Sequence, residues 1–120
     1  MIVDLQARDR WQAIDELIDN LVTLGKISPA SRDQIIAAVK KRESSMSTGI
    51  GYGIAVPHAS TDLVSDVVLI MGRSMQGIDF GALDAALVHR VALFLVPKGQ
   101  FQKHVNALAD IAKQVRKIEL

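Results

Sequence analysis

Three glycines and one histidine lie close together in the segment 49–59, GIGYGIAVPHA, and these residues offer the clearest chemistry in the chain. Glycine permits a positive φ and exposes backbone N–H groups, so glycines at alternating positions can surround an anion. Pro57 directly precedes His58 and restricts how the imidazole is presented. The residues alone leave two interpretations open: a backbone cradle for an anion beside His58, or an edge strand bent by glycine.

Several other kinds of site find little support in the sequence. The three histidines, His58, His89 and His104, show no helical ligand spacing, and the chain has no cysteine, so we predict neither a metal site nor a cofactor. No Gly-x-Ser-x-Gly motif marks a hydrolase nucleophile. The glycine segment lacks the Lys-Ser/Thr ending of a nucleotide-binding loop and precedes a predicted strand rather than a helix.

The histidines do permit phosphoryl transfer. A neutral imidazole is a competent nucleophile near neutral pH, and a phosphorylated imidazole is a good phosphoryl donor. A second histidine and an arginine would stabilise the charge on the oxygens of the transferring group. Arg42 precedes the glycine segment and His104 lies in the first turn of a predicted helix, so both are candidates. These residue types permit this chemistry without demanding it.

The composition indicates one domain over residues 1–120. A chain of 120 residues that is 49% apolar and 22% charged is typical of a globular protein with one core. A net charge of +1, without a basic stripe interleaved with aromatic residues, gives no support for nucleic-acid binding. No apolar stretch is long enough to span a bilayer, and the absence of cysteine fits a reducing compartment, so we expect a cytoplasmic protein.

The hydrophobic periodicity predicts an α/β fold in which helices flank a sheet. Apolar residues at three- and four-residue steps predict amphipathic helices over 10–24 and 102–115, and Ser28-Pro29 predicts the start of a further helix that ends near Arg42. A polar loop is expected over 43–48. The predicted strands cover residues 2–5, 54–56, 66–71 and 88–96, with His58 at or just beyond the end of a strand and with 66–71 buried on both faces.

A long, multi-part pattern of residues resembles a known protein family. The pattern begins with Arg42-Glu43 and includes the segments 47–51 (STGIG), 53–59 (GIAVPHA), 77–80 (GIDF) and 95–109, which contains His104. It is similar to the enzyme IIA domains of the mannitol/fructose class of the bacterial phosphoenolpyruvate-dependent sugar phosphotransferase system, including the nitrogen-regulatory paralogue. The resemblance covers nearly all of the chain and implies a mixed sheet with helices on both sides.

This resemblance implies a role for each candidate residue. His58 would receive the phosphoryl group, His104 would be the second active-site histidine, and Arg42 would bind the phosphoryl group through its guanidinium. The phosphoryl-binding loop would consist of Ser47, Thr48, Gly49, Gly51 and Gly53.

The resemblance also implies partners. The donor would be the phosphorylated histidine-containing phosphocarrier protein, and the usual acceptor is a cysteine of an enzyme IIB, with peripheral contact with a membrane permease. Alternatively, the phosphorylation state would control a regulatory target protein, as expected of the nitrogen-regulatory paralogue. An apolar rim around His58 is expected to dock the carrier.

Three features depart from the family pattern or lie outside it. Tyr52 stands where the family commonly has asparagine or a similar small polar residue, and we expect its ring to face solvent. His89 lies outside the motifs and is predicted to be a surface residue of a strand. Family members usually continue through one more helix, so this chain is expected to lack the last helix of the family.

Overall fold

The first helix, α1, spans Arg10–Thr23 in the computed structural model, which describes residues 2–82 and 84–100. It begins at Arg10 because the Oδ1 atom of Asp9 accepts a hydrogen bond of 2.8 Å from the Gln12 N–H. It ends before Gly25, whose φ of 73° suits the left-handed conformation after a helix. Its buried residues lie on one helical face, as the three- and four-residue steps predict, and are Ala13, Ile14, Leu17, Ile18 and Leu21.

The second helix begins and ends later in the chain than its sequence pattern indicates. Ser28 Oγ accepts a hydrogen bond from the Ala30 N–H, and Pro29–Ser31 form a short 3-10 turn before α2 begins. Helix α2 then spans Arg32–Ser45. The prediction of a loop over 43–48 is therefore wrong at its start, because Glu43 belongs to the helix and is buried against the core.

Six strands in the described part of the chain form one mixed sheet. Strand β5 pairs with β1 in parallel and with β6 antiparallel. On its other side β6 pairs in parallel with both β3 and β4, and β2 pairs antiparallel with β3. This arrangement confirms the predicted sheet; its strands are β1 (Ile2–Asp4), β2 (Gly49–Gly51), β3 (Ile54–Ala55), β4 (His58–Thr61), β5 (Val68–Ile78) and β6 (Val88–Pro97).

Strands β3 and β4 run along β6 as one strand interrupted at Pro57. The register continues across the break, since Ile54 lies opposite Arg90 and His58 lies opposite Phe94. Proline has no N–H to contribute to a ladder, but the Pro57 carbonyl still accepts a hydrogen bond of 3.1 Å from the Phe94 N–H. His58 is thus the first residue of a new strand segment, whereas the sequence placed it at or beyond the end of the previous strand.

The two helices pack on one face of the sheet and share a core with alternate residues of β6, including Val91, Leu93 and Leu95. Phe94, Ala92 and Val96 of the same strand belong to separate clusters on the opposite face. Strand β6 is buried along most of its length, as predicted for residues 88–96.

Burial of residues 66–71 on both faces was a wrong prediction. Strand β5 includes Val68 and alternates between buried and exposed positions, with Ile70 buried and Leu69 40% exposed. Leu69 lies opposite Phe94 in the antiparallel register and so projects away from α1 and α2. A continuous apolar run therefore predicted the strand but not which of its faces is covered.

The predicted helix 102–115, and with it His104, lies outside the described residues. Helical cover on the second face of the sheet therefore stays a prediction. No helix within residues 2–82 and 84–100 combines the length and apolar character that crossing a membrane requires.

Candidate active site

The His58 ring is held in one orientation by a backbone hydrogen bond and by an aromatic neighbour. Its Nδ1 atom lies 2.8 Å from the carbonyl oxygen of Val56. The ring stacks on Phe94, with the ring centroids 4.9 Å apart and the planes 2° from parallel. Because a carbonyl oxygen can only accept, Nδ1 must carry the proton, and in the neutral ring the lone pair belongs to Nε2. Nε2 is therefore the unprotonated ring nitrogen of the neutral His58 side chain.

The surroundings of His58 favour the neutral ring. Burial against the sheet lowers the pKa of His58 below its ordinary value of 6.5, because a charged imidazole loses solvation there. The hydrogen bond to the Val56 carbonyl opposes this shift, and the positive charge of Arg42 adds to it. A larger share of the imidazole is consequently neutral, and available as a nucleophile, than for an exposed histidine at the same pH.

A cleft of about 470 Å³ separates the end of α2 from β4 and opens beside His58. It brings together two of the predicted site residues, His58 and Arg42, which are far apart in sequence. Among the described residues that line the cleft, two are cations and none carries a carboxylate. These residues are Ala38, Lys41, Arg42, Ser45, His58, Ala59 and Ser60.

Sequence reasoning missed most of this lining, although the signal was present. Ala38, Lys41, Arg42 and Ser45 recur at three- and four-residue steps, which places them on one face of a helix. Helical spacing identifies the buried face of α2, and the same rule could have grouped the residues of the face that lines the cleft. Ser60 lies two residues after His58 on β4.

Arg42 is partly fixed by its own helix end. Its Nη1 atom donates a hydrogen bond of 2.8 Å to the carbonyl oxygen of Met46, the residue that follows α2. The side chain of Met46 is 70% exposed, and Ala38 and Ala59 are the apolar residues that line the cleft. The expected apolar rim around His58 for docking a carrier stays a prediction.

A buried carboxylate connects α2 to the start of β2, and its role was not predicted. The side chain of Glu43 is 1% exposed and accepts hydrogen bonds from Thr48, from the backbone N–H at 2.9 Å and from Oγ1 at 3.2 Å. Glu43 lies four residues after the buried Val39, so the helical period placed it on the inner face. The prediction of a loop from residue 43 left Glu43 out of this helical period.

Contacts within the fold explain the residue types at several positions of the predicted phosphoryl-binding loop. Ser47 Oγ donates to the Phe80 carbonyl and accepts from the Gly49 N–H at 3.0 Å. A Cβ atom at Gly49 would lie 2.8 Å from Cβ of Ala82, so only glycine fits there. None of Ser47, Thr48, Gly49, Gly51 and Gly53 lines the cleft. Their contact with a phosphoryl group stays a prediction.

The tip of the β2–β3 hairpin uses left-handed backbone at Gly51, Tyr52 and Gly53, with φ values of 92°, 58° and 73°. Consecutive residues with positive φ suit a tight hairpin turn. The carboxylate of Asp84 accepts a hydrogen bond of 3.2 Å from the Tyr52 N–H, and hydrogen bonds from Ala86 and Tyr52 lower the pKa of Asp84. The Tyr52 side chain is 69% exposed, as predicted.

His89 differs from its prediction as a surface residue. It belongs to β6, as expected, but it is half-buried. Its Nδ1 atom lies 2.8 Å from the carbonyl oxygen of Ser74, and a Cβ atom at Gly77 would lie 3.0 Å from the ring. The cause is the antiparallel neighbour β5, whose end covers this part of β6. His89 does not line the cleft with His58.

Metal binding finds no candidate in the described part of the chain, where no three His, Asp or Glu side chains are grouped to hold an ion. Two carboxylates of α1 are instead engaged in ion pairs with α2. Asp15 pairs with Lys40 and Asp19 pairs with Arg32.

The environment of His58 predicts its titration. We expect the imidazole of His58 to titrate below pH 6.5, and the Arg42→Met variant to titrate at a higher pH than the wild type, because removing a nearby cation makes protonation less costly. The measurement is an NMR titration of the imidazole resonances. Arg32→Met is the control, since Arg32 pairs with Asp19 outside the cleft and should leave His58 unchanged. A wild-type midpoint at or above 6.5 would contradict the interpretation.

Comparison with solved structures supports the fold. The nitrogen regulatory protein IIA-Ntr from Neisseria meningitidis superimposes with a TM-score of 0.81 at 24% identity, over 93% of this chain and 75% of that one. A complex of enzyme IIAMTL and phosphorylated enzyme IIBMTL from Escherichia coli matches with a TM-score of 0.73 at 18% identity, over 96% of this chain and 83% of that one. At these identities the likeness establishes the fold alone.

Sequence relatives include a fructose-specific EIIA component from Haloferax volcanii, 35% identical over 86% of this chain. A fructose-specific EIIABC component from Bacillus subtilis is 32% identical over 98% of it. The chain spans 66% of the length of the first relative and 18% of the second.

The family comparison covers almost the entire chain, including every predicted site residue. Residues 1–119 match the model described as "Phosphoenolpyruvate-dependent sugar phosphotransferase system, EIIA 2". The chain therefore belongs to the EIIA 2 family of the phosphoenolpyruvate-dependent sugar phosphotransferase system.

Proposed function

We propose that this protein is a phosphohistidine carrier of the sugar phosphotransferase system. It accepts a phosphoryl group on His58 from the histidine-containing phosphocarrier protein and passes the group to a cysteine of an enzyme IIB. The observation that carries the proposal is the arrangement of His58: Nδ1 is tied to the Val56 carbonyl, and the ring shares a cleft with Arg42. Family membership supports the same chemistry.

The transfer step follows from this geometry. The Nε2 lone pair of His58 attacks phosphorus, and the N–P bond of the donor histidine breaks, returning its electron pair to the donor ring. The His58 ring gains positive charge as the new N–P bond forms, and the Val56 carbonyl stabilises that charge through the Nδ1–H. The Arg42 guanidinium supplies N–H donors to the phosphoryl oxygens. The same elements act in reverse when the cysteine thiolate attacks.

A labelling experiment tests the proposal. The protein is incubated with labelled phosphoenolpyruvate, enzyme I and the histidine-containing phosphocarrier protein, and protein-bound label is measured after acid and alkali treatment. We expect label that is lost in acid and stable in alkali, as for phosphohistidine, and that depends on the carrier. A protein that stays unlabelled although the carrier is phosphorylated would overturn the proposal.

A regulatory output is the second candidate, favoured by sequence similarity to a nitrogen regulatory protein from Pseudomonas aeruginosa, which is 30% identical over 88% of this chain. In this case phosphorylated His58 controls binding to a target protein and serves no IIB. Mixing the labelled protein with a purified fructose-class IIB distinguishes the two outputs. Label that moves to the IIB cysteine supports transport, whereas label that stays on this protein favours regulation. The transport proposal places the protein in the cytoplasm, in peripheral contact with a permease.

A further inference from the structure

The end of α2 presents two neighbouring lysines to different surroundings. Lys41 lines the cleft with His58, on the same helical face as Arg42 and Ser45. Lys40 points to the other helix, where its Nζ atom lies 2.9 Å from Oδ1 of Asp15. These adjacent residues therefore differ, since Lys41 is a cation of the cleft and Lys40 is neutralised in an ion pair.

The charge of Lys41 is not balanced within the cleft. The ion pairs found among residues 2–82 and 84–100 involve Arg32, Lys40 and Arg73, and Lys41 belongs to none of them. None of the described residues that line the cleft carries a carboxylate. Two adjacent cations that face one cleft repel each other, and an anion bound in the cleft would offset this repulsion. A phosphoryl group is such an anion, with close to two negative charges.

We propose that Lys41 is a second phosphoryl-binding cation of this site, acting beside Arg42. The inference rests on the proposed function and deepens it. The hydrogen bond to the Met46 carbonyl restrains the guanidinium of Arg42. The exposed Lys41 has a flexible stem, which lets its ammonium group follow the phosphoryl oxygens while the donor N–P bond breaks and the bond to His58 Nε2 forms.

The test compares Lys41→Met with Lys40→Met, because both remove one positive charge from adjacent positions. Two donors are used: the phosphorylated carrier protein, and phosphoramidate, a small donor that cannot dock on a protein surface. We expect Lys41→Met to slow labelling of His58 about tenfold or more with both donors, since one stabilising cation is lost. Lys40→Met should stay within about twofold of the wild type, and Lys41→Arg should recover most of the rate.

Each outcome decides the inference. Equal rates for Lys41→Met and the wild type would overturn it while leaving the proposed function intact. A loss seen with the carrier protein but not with phosphoramidate would also overturn it, because Lys41 would then contribute to docking. An unlabelled wild type would overturn the proposed function and this inference together. Circular dichroism of the three variants shows that each is folded before the rates are compared.

Discussion

Replacing His58 with alanine is expected to remove the acid-labile phosphate from this protein, lowering the labelling rate by at least about 10³-fold. In the proposed function His58 supplies the reacting atom, Nε2, and no other described histidine lies in the cleft. The loss should appear with the carrier protein and with phosphoramidate alike, because it removes the nucleophile rather than a docking contact. The measurement is protein-bound label at a fixed time and over a time course.

A second histidine provides the matched control for this variant. His89 is half-buried like His58, and its Nδ1 atom also lies 2.8 Å from a backbone carbonyl oxygen. It does not line the cleft, so His89→Gln should keep the label. His58→Gln preserves more of the side-chain volume and should behave as His58→Ala does. Label retained in the His58 variants, or lost to the same extent in His89→Gln, would remove His58 from its proposed role.

Helix α1 could be predicted well because its signals are local. The cap at Asp9, the apolar period of the helix and the left-handed Gly25 after its end all lie within one short stretch of the chain. The exposure of Leu69 could not be predicted in the same way, because it depends on which sheet face receives the helices. A run of apolar residues contains no information about that choice.

In the candidate site, too, some residues could be predicted from local signals and others depend on the fold. His58 and Arg42 were identifiable from residue type and motif, and the fold brings them to one cleft. The positions of Ser45 and Glu43 depend on the phase and the end of α2, which extends to Ser45. A helix predicted to end at Arg42 leaves out Ser45, which lines the cleft, and Glu43, which is buried. The reason for glycine at residue 49 could not be predicted from the segment itself, because Ala82, which approaches Gly49 closely, belongs to a distant part of the chain.

Glu43→Ala is expected to lower the free energy of unfolding by about 2–4 kcal/mol, the largest stability effect that we predict. The carboxylate is buried and is the acceptor for both the backbone N–H and the hydroxyl of Thr48. Alanine leaves two buried donors without their acceptor and also leaves a cavity. Glu43→Gln keeps one acceptor oxygen and should cost less, about 1 kcal/mol. Urea unfolding followed by circular dichroism measures both changes.

Glu16→Ala separates the effect of burial from the effect of losing a carboxylate acceptor. Glu16 also accepts hydrogen bonds from backbone amides, those of Gln6 and Ala7 at 3.0 Å, but its surroundings are partly open to water. Water can replace the carboxylate there, so this variant should cost only about 0.5–1.5 kcal/mol. Equal losses for Glu16→Ala and Glu43→Ala would show that burial adds nothing to the Glu43 contact. A Glu43→Ala variant as stable as the wild type would show that α2 and β2 are held together by other contacts.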